Sequence, residues 1–69
     1  MGTRIDSRSI GNTIRALRLA RNLTQEELAD SLGCTTRSIR RYEKDGTTNI
    51  AVVNEFADYF GVSALDILR

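Results

Sequence analysis

The chain has 69 residues, enough for one small domain near the lower limit at which a core holds without staples, so stability must come from packing. It has no His and one Cys, Cys34, which excludes an internal disulfide and leaves the usual nucleophile–base pairs of an enzyme without members. The net charge of +1 hides a segregation: residues 23–33 carry only acids, whereas residues 34–44 carry Arg37, Arg40, Arg41 and Lys44 against Glu43. Folding can therefore gather the positive blocks onto one surface.

Residues 1–8 lack periodicity and are read as a flexible N-terminal arm carrying Arg4 and Arg8; residues 9–69 are read as one domain. No apolar run approaches the roughly 20 residues that cross a bilayer, and no signal sequence opens the chain. With the single Cys, this points to a soluble protein of a reducing cytoplasm, with no membrane partner.

Ser9 is placed to cap a first helix near 10–21, with Ile10, Ile14 and Leu17 as its apolar stripe. Arg15, Arg18 and Arg21 lie beside the stripe, and each could meet an anion. Thr24 with Glu27 three residues on predicts a capping box, followed by Leu28, Ala29 and Leu32 at helical spacing. Gly33 stands where a left-handed residue stops a helix. Thr35 then caps a third helix, 36–44, with Ile39 and Tyr42 on one side and Thr36, Arg37, Arg40, Arg41 and Lys44 on the other. Two helices joined by so short a turn cross steeply, and the second projects one face outward.

Residues 45–48 are a loop by composition, with Asn49 or Thr48 as the cap of a fourth helix. Its apolar positions are Ile50, Val53, Phe56, Ala57 and Phe60, and Gly61 ends it. Ser63 with Asp66 starts a short fifth helix carrying Leu65 and Leu68. The expected core is Ile14, Leu17, Leu28, Leu32, Ile39, Phe56, Phe60 and Leu68, with no strand.

The strings Thr24-Gln25, Glu27-Leu28-Ala29, Leu32-Gly33, Thr35-Thr36, Ile39 and Tyr42-Glu43 resemble the helix-turn-helix of the phage Cro and repressor group, the XRE-type regulators. Ile14, Leu17 and Arg18 before them extend the likeness. Phe56-Ala57, Phe60-Gly61-Val62-Ser63 and Leu68 after them carry it across residues 9–68. Ile50 stands where many relatives carry proline. The resemblance implies an all-α, compact five-helix domain of the lambda-repressor type, without cofactor or metal, in a bacterial or phage-infected cell. It implies a sequence-specific transcriptional regulator of double-stranded DNA, a repressor, working as a homodimer on a near-palindromic operator.

A helix fits the major groove of B-DNA, where each base pair shows its own donors, acceptors and methyl groups. The side chains that read bases sit in the N-terminal half of that helix. Residue by residue, the likeness assigns base contacts to Thr36, Arg37 and Arg41. Phosphate contacts fall to Gln25, at a helix N-terminus with free N–H groups, and to Thr35, Arg40 and Lys44. It also implies a structural ion pair between Arg18 and Glu43. Arginine at the reading positions suggests operators containing guanine. A dimer needs an apolar patch away from the positive face, and Val62, Leu65, Ile67 and Leu68 supply the candidate. A different class of role on the same fold is an antitoxin or other interaction module with a toxin or other protein as partner; a positive outward face on the third helix favours DNA.

Overall fold

The computed structural model describes residues 7–68, and five helices account for most of them. They are α1 (Ser7–Ala20), α2 (Gln25–Leu32), α3 (Thr36–Asp45), α4 (Ile50–Phe60) and α5 (Ala64–Leu68). The described residues contain no strand, and no helix among them is long and apolar enough to cross a membrane.

The first helix starts earlier than Ser9. Ser7, Arg8 and Ser9 are already helical, and the Ser9 carbonyl accepts the Thr13 hydroxyl at 3.0 Å within the helix. The loop after α3 explains the extra turn: at Gly46 the backbone lies so close to the Ser7 carbonyl that a Cβ there would overlap it. The loop after α3 therefore packs directly on the first turn. The remainder of the expected arm, Arg4 included, lies outside the described residues.

Three helix ends share one device. At Asn22, Gly33 and Gly61 the chain turns left-handed (φ 57°, 71° and 68°), and the residue after each bonds back five residues: Leu23 to Arg18, Cys34 to Ala29, Val62 to Ala57. This is the Schellman arrangement, which satisfies carbonyls otherwise orphaned at a helix C-terminus. Asn49 is the residue that caps α4, its side chain accepting from the Ala51 N–H at 3.0 Å. Ser63 and Asp66 bond across the start of α5: Ser63 N–H reaches Asp66 Oδ2 at 3.1 Å, and Ser63 Oγ accepts from Leu65 N–H at 3.1 Å.

Ile14, Leu28, Ile39, Phe56 and Phe60 are buried as expected, together with Ile10, Ala29, Val53, Ala57 and Ile67. Leu17, Leu32 and Leu68 are half-buried and pack against this cluster from its rim. Ile67 is therefore a correction: placed on a surface patch by the sequence reading, it is fully enclosed. On a one-turn helix only one of two adjacent apolar residues can point straight inward, and here it is Ile67, leaving Leu68 at the edge. Phe56 ties the halves together, meeting Tyr42 of α3 edge-on at 5.7 Å and stacking with Phe60 at 6.5 Å. Such geometries suit the ring quadrupoles.

The most extensive helix contact joins α1 to α3. It depends on Gly11, where an added Cβ would lie 2.6 Å from the Glu43 carbonyl oxygen and 2.8 Å from that of Tyr42. The absence of a side chain at this crossing lets the first helix rest directly on the backbone of the third.

Candidate nucleic-acid interface

The interface is built on α2, the Gly33 turn and α3. The capping box at α2 is complete: Thr24 Oγ1 accepts from Glu27 N–H at 3.0 Å, and Glu27 Oε1 accepts from Thr24 N–H at 2.9 Å. The two hydrogen bonds with Thr24, backbone first and hydroxyl second, hold the Glu27 carboxyl below the ordinary glutamate pKa. Thr35 caps α3, accepting from Ser38 N–H at 3.1 Å while its own hydroxyl donates to Ser38 Oγ at 3.0 Å. With α2 and α3 set by these caps, Ile39 enters the core and fixes which way α3 faces.

Facing outward are Arg37, Arg40, Arg41 and Lys44, all exposed, with Thr36 half-exposed at the start of the helix. Among the described residues none of these cations forms a salt bridge; the ion pair recorded there is Arg18 with Glu43. The face therefore presents charge that is not neutralised internally. Arg37, Arg40, Arg41, Lys44 and Asp45 line a shallow cleft of about 310 Å³ along it.

Arg18 and Glu43 meet as the family likeness implied. Arg18 Nε donates to Glu43 Oε2 at 2.6 Å and Nη2 to Oε1 at 3.1 Å, a bidentate pair, while Nη1 donates to the Leu23 carbonyl at 2.7 Å. Both residues are buried, at 8% and 7% exposure, so the pair joins α1 to α3 beneath the surface. Gln25 completes the network, its Nε2 donating to Glu43 Oε1 at 3.1 Å. One of its two amide donors is thus turned inward, which the sequence did not reveal, and one remains for an outside acceptor.

Arg21 turns away from this face. It donates to the Phe60 carbonyl at the end of α4, and its guanidinium lies 5.2 Å from the Phe60 ring centroid. It ties the end of α1 to the end of α4. Cys34, half-buried in the turn, has its thiol pKa raised by burial and, secondarily, by the charge of Glu55.

A second, larger cleft of about 360 Å³ opens between α1 and α3, lined by Asn12, Arg15, Arg18, Gln25, Arg40, Glu43 and Lys44. Asn12 had no signal in the sequence, because a single polar residue on a helix face looks like any solvated position.

A capped helix, a glycine turn and a second helix with an unpaired positive face make a helix-turn-helix, and a helix-turn-helix family model matches residues 14–67. The chain belongs to the XRE-type helix-turn-helix family, the Cro and repressor group. This XRE-type chain is a DNA-binding transcription regulator, and its partner is double-stranded DNA. The family is a regulatory one, not a class of enzymes. No curated protein matches the chain.

Proposed function

We propose that the chain is a repressor that reads a near-palindromic operator as a homodimer, inserting α3 into the major groove. The observation that carries this reading is the outer face of α3, where four exposed cations stand without internal partners. Thr36, Arg37 and Arg41 lie on the part of α3 that enters the groove first and contact bases, Arg through guanine O6 and N7 and Thr through the thymine methyl. Thr35, Arg40 and Lys44 contact phosphates. Gln25 does so with its free amide donor, held in orientation by Glu43. Phosphate contact at Gln25 is supported by its place at the α2 N-terminus, where backbone N–H groups and the helix dipole favour anions.

Selection of bound sites from a random duplex library is the direct test, since it yields both consensus and symmetry. On the selected site Arg41→Ala weakens binding by about 1–3 kcal/mol and relaxes preference at one base position. Gln25→Ala weakens all sequences evenly. Equal loss on every sequence for Arg41→Ala would move that arginine to the phosphate contacts.

A further inference from the structure

The interface described so far stands on α2 and α3, with α1 entering through the buried Arg18. The outer face of α1 belongs to it as well. Asn12 and Arg15 are exposed and three residues apart, so they share one helix face. Because Gly11 lets α1 lie on the backbone of α3 at Tyr42 and Glu43, that face is carried up beside Arg40 and Lys44, four apart on α3. These four side chains form the two walls of the larger cleft, with Gln25 and the Arg18–Glu43 pair also lining it.

We infer that this cleft is a phosphate seat in which Asn12 and Arg15 of α1 hold a backbone phosphodiester of duplex DNA from the side opposite Arg40 and Lys44. The lining has four cations, Arg15, Arg18, Arg40 and Lys44, and one carboxylate, Glu43, a net of three positive charges. The carboxylate does not repel an incoming anion as a free one would. Glu43 Oε2 accepts from Arg18 Nε, and Oε1 accepts from both Arg18 Nη2 and Gln25 Nε2. Its charge is cancelled by Arg18, leaving Arg15, Arg40 and Lys44 unmatched, with the Asn12 and Gln25 amides as neutral donors. The space equals that of roughly a dozen waters, room for a phosphate group with part of its hydration. The inference rests on the DNA-binding reading of α3 and adds to it a third helix and two residues. Asn12 precedes the segment matched by the family model.

The test uses the 69-residue chain and a labelled mixed-sequence duplex, with affinity followed by anisotropy across a salt series. Arg15→Gln lowers the slope of log affinity against log salt by about 1. It weakens mixed-sequence and selected duplexes by the same factor, and Arg15→Lys keeps the slope. Asn12→Asp, which adds a carboxylate to the same wall, weakens binding most at low salt. Both positions are exposed, and the melting temperature of each variant checks that the fold is intact. Should wild type bind and Lys44→Gln lose affinity while Arg15→Gln and Asn12→Asp keep wild-type affinity and slope, the α1 wall is outside the interface and the inference falls alone. If wild type does not bind duplex at all, the reading of α3 falls with it. Titration with inorganic phosphate, followed by the Asn12 side-chain amide signal, separates the two sources of the anion. Phosphate-induced shifts abolished by Arg15→Gln, with DNA binding untouched, would make the cleft a free-anion site and overturn the assignment to the DNA backbone.

Discussion

Arg15, Arg18 and Arg21 stand at three-residue steps on one side of the chain's start, and what separates them is what each guanidinium touches. Arg18 is enclosed with Glu43, Arg21 closes the end of α4, and Arg15 is exposed at the cleft. Removing one partner of a buried pair leaves the other charge uncompensated, so Arg18→Met or Glu43→Gln costs roughly 3–5 kcal/mol. For a domain this small that is most of the stability, and the urea transition of either variant shifts to very low denaturant. Arg18→Met with Glu43→Leu together recovers much of the loss, because the penalty belongs to the unpaired charge. A double variant no better than the singles would mean that the Leu23 and Gln25 bonds matter more than the pair. Glu27 behaves differently, being exposed. Its folded pKa is depressed by Thr24, so its contribution is full above the unfolded value and is lost as pH falls through the folded one. The gap in urea midpoint between wild type and Glu27→Gln therefore closes as acid enters the range of glutamate titration. A gap that stays constant would remove the capping bond as its cause. Cys34 has the opposite shift for a different reason: burial disfavours the thiolate, so at neutral pH it reacts with thiol reagents more slowly than an unfolded cysteine.

At the scale of the helix, packing at the α1–α3 crossing outweighs propensity. Gly11→Ala gains up to about 1 kcal/mol of helix propensity. Against that, the new Cβ sits 2.6 Å from a backbone carbonyl oxygen that no side-chain rotation can move aside. The helices must separate, so the melting temperature falls. It would rise if the crossing were loose. Gly11 also shows why part of this molecule was legible in sequence and part was not. Helix ends are local: Thr24 with Glu27, Gly33 and Gly61 carry their signals within a few residues, and all act as read. The stripes of α2, α3 and α4 repeat often enough to fix which side faces the core. The start of α1, two residues before Ser9, lies against Gly46, nearly forty residues away in sequence. The phase of α5 is underdetermined, since five residues do not complete two turns and Ile67 and Leu68 are equally apolar. In the interface, the outward cations of α3 follow from the Ile39 side of the helix. The inward turn of the Gln25 amide and the approach of Asn12 to Lys44's cleft are long-range facts with no periodic trace.

The whole molecule presents one recognition helix, and that limits what one copy can read. Each base pair discriminates by about 1–3 kcal/mol. A single α3 touching a few pairs cannot single out one site among the many in a genome, whereas two copies about 34 Å apart, one turn of B-DNA, multiply the discrimination. The contact between copies must lie away from the positive face. With Ile67 in the core, what remains of the C-terminal patch is Leu65, 66% exposed, flanked by the half-buried Val62 and Leu68. A stable pair of subunits covers roughly 800 Å² on each partner. That is about a sixth of this chain's 4869 Å² surface, far more than one leucine and its rim supply. We therefore expect a monomer–dimer equilibrium lying toward monomer in free solution, with DNA supplying the remaining free energy by holding both copies on adjacent half-sites. Leu65→Lys should fold normally, bind an isolated half-site as wild type does, and lose the cooperative step on the full selected site. Sedimentation of the complex counts the copies directly. Two chains per full site, reduced toward one by Leu65→Lys, is the expected result; one chain per site with a non-symmetric consensus would remove the case for a dimer.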